Sequence, residues 1–173
     1  GVGEYTSATF SAKRYEIWTM QSAYHNLPQI NGFDQHEGAN YHATKVQYEP
    51  FSLAMDIASA YPKEAEVKTW KRSLSLKRGD FIEINEHYQL DKWMQPQRIM
   101  LLTPVQPVMI RRGVLQLGEN QLLYPHQQVI VKIEDISSKM DSLLHKVWGN
   151  NLYRIVMTVN DKKTRNKIIY SLQ

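Results

Sequence analysis

Apolar and polar residues alternate one by one in short runs along most of this chain, and that period of two constrains the fold more than any other feature. Phe51, Leu53, Met55 and Ile57 alternate with Ser52, Ala54, Asp56 and Ala58. Trp70, Leu74 and Leu76 alternate with Lys71, Ser73 and Ser75. Past Lys77-Arg78-Gly79-Asp80 the pattern resumes with Ile82, Ile84 and Tyr88, so Gly79 marks a hairpin turn. A second hairpin is expected at Gly118-Glu119-Asn120, between residues 114–117 and 122–124. Val129, Val131 and Ile133 form one further set, and Tyr153, Ile155, Met157 and Val159 another. A last strand at residues 168–170 follows the turn-like stretch 160–166. Helical spacing is confined to residues 137–147, where Met140, Leu143, Leu144 and Val147 fit one face behind a Ser cap, with an irregular crossover as the alternative. The proline-bearing stretch 96–107 reads as strand edge and loop. Many short strands without a βαβ rhythm imply an all-β, antiparallel β-sandwich with little helix, one domain over residues 1–173.

Composition narrows the function classes. A chain of 173 residues with 42% apolar and 22% charged residues can bury a core of its own. No apolar run approaches the roughly 20 residues that span a bilayer, so no membrane span is expected. Cysteine is absent, which removes disulfides, thiolate metal sites and cysteine nucleophiles together without fixing the compartment. A net charge of +4 gives only a mild attraction to anions. No helix-turn-helix, zinc finger or aromatic-basic strand motif accompanies it, so nucleic acid is not expected as a partner. The N-terminus begins Gly1-Val2-Gly3 without a signal-peptide pattern or an initiator Met, and the chain reads as starting within a longer protein.

Candidate ligand-binding residues concentrate between Tyr15 and Tyr48. Tyr15, Trp18, Tyr24, His25, Asn26, Asn31, Asp34, His36, Tyr41, His42 and Tyr48 lie there, with three of the six histidines. Aromatic faces pack on pyranose C–H surfaces while amides and imidazoles meet hydroxyls, so such a mixture suits a sugar. A plainer reading competes, because tyrosine is at home in half-buried strand positions. His25, His36 and His42 are separated by 11 and 6 residues, intervals unlike the close pairs of zinc sites, and are not expected to converge. His87, His126 and His145 are isolated. Arg78-Gly79-Asp80 is explained by the hairpin tip. Lys71, Arg72, Lys77, Arg78, Arg111, Arg112, Lys162, Lys163 and Arg165 could meet sulfate or carboxylate groups, but solvated strand faces and loops are the plainer reading.

The string from Tyr15 to Gly32 resembles a segment of the heparinase II/III family of polysaccharide lyases. The family's S-x-x-H-N signature and following N-G turn correspond to Ser22, His25-Asn26 and Asn31-Gly32. Ala60-Tyr61-Pro62 and Trp70-Lys71-Arg72 are similar to the family's β-domain, so the resemblance covers roughly the first 90 residues. It implies that the chain is the C-terminal β-sandwich of a protein whose N-terminal α/α toroid domain lies outside it. The active site of such enzymes lies in the cleft between the two. A uronic-acid polysaccharide of the heparin or heparan sulfate kind would be cleaved there by β-elimination. The resemblance further implies a zinc centre in the complete protein, with His25 as one ligand. The other His and an Asp would lie upstream, residues 1–6 continuing from the Asp-bearing turn, so this stretch alone would hold zinc weakly or not at all. Tyr15, Tyr24, Asn26 and Tyr41 are the expected substrate-binding residues, and no catalytic residue is assigned within the chain, which alone should be inactive. Acidic polysaccharide and the toroid are the implied partners, and periplasmic or secreted the implied location. A non-catalytic carbohydrate-binding or interdomain scaffold module is the alternative.

Overall fold

The alternating runs become strands of two antiparallel sheets in a computed structural model that describes residues 3–173. Gly1 and Val2, part of the stretch likened to the continuation of an Asp-bearing turn, lie outside the described residues. In chain order the strands are β1 (Pro28–Gln29), β2 (Thr44–Glu49), β3 (Ser52–Asp56), β4 (Val67–Lys77), β5 (Phe81–Leu90) and β6 (Arg98–Thr103). They continue as β7 (Val108–Arg111), β8 (Val114–Leu117), β9 (Asn120–Leu123), β10 (Val129–Asp135), β11 (Tyr153–Val159) and β12 (Arg165–Leu172). The smaller sheet has the order β1-β6-β11-β10 and the larger the order β2-β3-β4-β5-β12-β9-β8-β7. The expected all-β sandwich is what forms.

The core lies between the sheets and is built by the alternation itself. Ile155, Met157 and Val159 of β11 and Val129 of β10 point inward, with Ile99 of β6 beside them. They meet Trp70, Tyr88 and Ile168 from the larger sheet, where the Trp70 and Tyr88 rings stack at 4.7 Å. Both expected hairpins close as read, β4 to β5 around Gly79 and β8 to β9 at Gly118-Glu119. β6 sits inside the 96–107 stretch, but it is paired on both sides rather than at an edge. The expected helix is shorter and starts later: a 3-10 turn at Ser137–Lys139 precedes α1 (Ser142–Trp148). Its cap is Asp141, whose carboxylate accepts the Leu144 amide at 2.8 Å. Met140 therefore packs from before the helix, beside Leu144, Ile136 and Leu152 in a second cluster on the outer side of the smaller sheet.

The larger sheet outreaches the smaller. Trp70, Arg72, Leu74 and Leu76 share the inner face of β4, and burial is lost along that line, from complete at Trp70 to 42% exposure at Leu76. Ile82, paired with Leu76, is also exposed. Sequence alternation marks which face a residue takes but not where the opposing sheet ends.

One member of that inner line corrects the reading of the basic residues. Arg72 is buried, and it pairs across the strands with Glu86, which is wholly inaccessible. The Arg72 Nε donates to Glu86 Oε1 at 2.7 Å and Nη2 donates to the same oxygen. Trp70 Nε1 donates to Oε2 at 2.6 Å and the Tyr170 hydroxyl to Oε1 at 3.1 Å. Burial alone would lower the Arg72 pKa, but the Glu86 carboxylate outweighs it and holds the guanidinium raised. Arg72 is thus withdrawn from any external anion.

Removing one partner of such a pair leaves a buried uncompensated charge, so Arg72→Ala should cost about 3–5 kcal/mol in urea unfolding. Lys77→Ala, which breaks the exposed Lys77–Asp80 pair, should cost less than about 1 kcal/mol. Ile155→Ala should cost about 2–4 kcal/mol by the same measurement, through the cavity it leaves.

Candidate functional site

The segment before β1 carries Tyr15, Trp18, Tyr24, His25 and Asn26, and it forms neither strand nor α-helix. Four 3-10 turns follow one another, Ser7–Phe10, Ala12–Glu16, Trp18–Met20 and Ser22–Tyr24, separated by extended residues. Such turns have little cohesion of their own, and the segment is held against the smaller sheet by a few side chains. Trp18 Nε1 donates to the Lys139 carbonyl at 3.1 Å, and its ring meets Tyr24 edge-on at 5.1 Å. Tyr24 in turn lies under the Arg154 guanidinium at 4.6 Å. Tyr24 thus faces the second apolar cluster and fastens the segment down.

His25 comes next and is exposed in an extended conformation. Its Nε2 lies 3.1 Å from the Thr19 carbonyl. A carbonyl only accepts, so Nε2 is the donor in this contact and Nδ1 is the ring nitrogen left to meet a ligand. Asn26 is committed on both sides: its side-chain oxygen accepts the Leu102 amide at 2.8 Å and its carbonyl accepts Arg72 Nη1 at 2.7 Å. The buried ion pair therefore reaches the base of the site.

Asn31-Gly32 forms the expected turn, with φ of 51° and 88° and reciprocal Ile30–Phe33 backbone bonds of 3.0 and 2.8 Å. Both central residues require positive φ, which Asn and Gly tolerate best. The Asn31 side chain also ties three loops: its amide donates to the Ala65 and Lys92 carbonyls at 2.8 Å, and its oxygen accepts from Met94 and Gln97 at 3.0 Å. The turn delivers residues 34–37 opposite the 3-10 segment, where Ser22 Oγ accepts the Gln35 amide at 2.9 Å.

Between these walls lies a polar hollow of about 590 Å³ lined by Tyr15, His25, Asp34, His36 and Glu37. Tyr41 stands at its rim, its ring 5.0 Å from that of His36. Of the expected substrate-binding residues, Tyr15 and Tyr41 reach this hollow or its edge, whereas Tyr24 and Asn26 are engaged in holding its wall. His42 is turned to the Ala39 carbonyl at 3.0 Å. A second hollow, of about 240 Å³, opens on the outer face of the smaller sheet among Arg98, Lys132, Glu134 and Arg154. Gln29 joins the two: its amide donates to Asp34 Oδ1 at 3.2 Å and its oxygen accepts from Arg98 at 3.3 Å. Arg154 donates to Glu134 at 2.7 Å and to the Ala23 carbonyl at 3.0 Å. Lys132 also meets Glu134, at 3.0 Å. Arg98 has no carboxylate partner among the described residues. A comparably large hollow at Tyr48, Phe51, Leu76 and Ile82 is apolar, with Arg78 its one charged lining residue.

Sequence reasoning did not find Arg98, Lys132, Arg154 or Gln29. Their signal was alternation: the outward positions of β6, β10 and β11 carry basic residues beside apolar inward ones. The described residues do not by themselves supply the ligand set of the zinc centre that the family resemblance implies, of which only His25 is expected within the chain. No three His, Asp or Glu side chains are grouped to hold an ion among the described residues, and His25 offers one free ring nitrogen.

Half-burial pushes the Asp34 carboxyl above its ordinary value of 3.8, against the opposing pull of the Gln29 bond and the Arg154 charge. The folded state then binds more protons than the unfolded state as pH rises from that value, so stability falls across the window up to the raised pKa. Asp34→Asn keeps an oxygen for Gln29 and should remove this fall. Urea midpoints measured across the acidic range should decline with rising pH in the wild type more than in the variant.

No family model matches the sequence, and no curated protein matches it. Among solved structures the chain is similar to a heparan sulfate lyase, a HepC mutant from Pedobacter heparinus, with TM-score 0.56 and 10% sequence identity. The superposition covers 99% of this chain and 27% of that one. The likeness is one of fold: a sandwich of this kind makes up a part of a larger lyase.

Proposed function

We propose that this chain is the β-sandwich domain of a polysaccharide lyase and forms one wall of a cleft that receives a uronic-acid polysaccharide of the heparan sulfate kind. The observation that carries the reading is the joining of two hollows. Tyr15, His25, Asp34 and His36 converge in one, and Gln29 links it to a basic groove bearing Arg98, Lys132 and Arg154. An imidazole and phenol end suits sugar hydroxyls and ring faces, and a basic end suits carboxylate or sulfate. The fold shared with part of a heparan sulfate lyase supports the same reading.

β-Elimination removes the proton at C5 of the uronate and expels the 4-linked sugar. The carboxylate must be neutralised as enolate-like charge develops, which is work for positioned donors and cations. In this proposal Arg98 and Lys132 hold acidic groups along the chain. His25 Nδ1 meets a sugar hydroxyl, and Tyr15 contributes a ring face. The base and acid of the elimination come from the opposing toroid, so the chain alone gives no turnover. The substrate lies outside cells, and the proposal places the protein in the periplasm or beyond. No helix of the described residues is long and apolar enough to cross a membrane.

Isothermal titration with a heparan sulfate oligosaccharide tests the reading. Binding should weaken by about tenfold in Arg98→Ala/Lys132→Ala and in Tyr15→Ala/His25→Ala, and no unsaturated product should absorb in the ultraviolet. Full affinity in both double variants, or no affinity for any uronate oligosaccharide, would count against it.

A further inference from the structure

A third group of basic residues converges far along the chain, in a place the proposed cleft does not use. The β7–β8 hairpin turns at Arg112-Gly113, and Gly113 accepts the Tyr124 amide through its carbonyl at 2.9 Å. That bond seats the turn against the loop Tyr124-Pro125-His126. The seating needs a glycine: at φ of 87° a Cβ here would also stand 3.1 Å from His126 Nδ1 and 3.1 Å from the Tyr124 carbonyl. Between turn and loop lies a groove of about 300 Å³. Arg111, Arg112 and His126 line it, together with Ile169 and Ser171 of β12.

Charge in this groove is of one sign. Its lining contains no carboxylate, and neither arginine has an ion-pair partner among the described residues. Glu83, which faces Ser171 in the strand register, is not part of the lining. Arg111, Arg112 and His126 are all exposed, so their donors are free to meet a ligand. Two guanidinium groups and an imidazole beside an aliphatic side chain match an oxyanion ester on a compact ring: the arginines bridge the oxygens and Ile169 takes the C–H face. Single-stranded nucleic acid fits less well, because it is held by exposed aromatic platforms, and the two tyrosines that line the groove, Tyr124 and Tyr170, are buried.

We propose that the groove between the Arg112-Gly113 turn and the Tyr124–His126 loop is a second binding site, for a sulfated saccharide. It lies on strands other than those that frame the cleft, and its occupancy does not depend on the lyase reading.

Amide shifts of the 173-residue chain, followed by NMR during titration with sucrose octasulfate, test it directly. Shifts are expected at Gly113, His126 and Ile169, saturating at low salt and weakened by added sodium chloride. Arg111→Ala/Arg112→Ala should reduce affinity at these amides by about tenfold or more, while Tyr15→Ala/His25→Ala leaves them unchanged. Gly113→Ala, which displaces the turn but keeps both arginines, should weaken binding as well. Unchanged affinity in the arginine variant, or shifts confined to the cleft, would overturn this site while leaving the cleft standing. Inorganic sulfate binding as tightly as the octasulfate, or a short single-stranded oligonucleotide binding more tightly, would equally overturn it. Shifts retained here, together with no affinity of the chain's cleft for a heparan sulfate oligosaccharide, would overturn the lyase reading alone.

Discussion

A guanidinium and a carboxylate sit where a sandwich would ordinarily hold only hydrocarbon, and the rest of the molecule is arranged around them. Glu86 is accommodated there because four donors converge on its two oxygens: two from Arg72, one from Trp70 and one from Tyr170. Those donors come from β4 and β12, the two neighbours of β5, so the pair pins the register of three central strands. A slip of one residue would expose the ions to hydrocarbon and turn the alternating faces inside out. The remaining guanidinium nitrogen, Nη1, donates to the Asn26 carbonyl, outside the sheet. Core and site are thereby part of one hydrogen-bonded system.

That link explains why the segment carrying His25 can be precise without being regular. Asn26 is gripped from the larger sheet by Arg72 and from the smaller by the Leu102 amide. Tyr24, one residue before His25, is held between Trp18 and Arg154. The imidazole between these anchors has its orientation set by the Thr19 carbonyl. On the opposite wall the Asn31 side chain sets where Asp34 to Glu37 emerge. The site is two irregular strings, each tied to the sandwich by buried polar bonds.

The strands and both hairpins were legible because alternation and turn residues act locally. The ion pair was legible in principle too: Arg72 and Glu86 stand equally far from Gly79, and a hairpin centred there places them opposite each other. Charged residues are so seldom buried that Arg72 was assigned to the surface despite lying on the stripe of Trp70 and Leu74. The helix boundary failed for a different reason. Met140 and Leu144 have helical spacing, yet Asp141 between them caps the helix, and the same apolar cluster absorbs both. The two linked hollows were only half readable. Residues near in sequence, Tyr15 to His36, could be grouped by density, but Arg98, Lys132 and Arg154 join them only through sheet order, which no local pattern encodes.

The run of 3-10 turns ahead of β1 has a mechanical consequence. Its backbone bonds stay within each turn, so it lacks the cooperativity that makes a helix or a sheet melt as a whole. It hangs from a handful of rivets, Trp18, Tyr24 and Asn26 foremost. An element fastened that way detaches at a lower free energy than the sheets beneath it. One wall of the polar hollow can lift away and return while the sandwich stays folded, so the segment that carries His25 yields before the sheets do.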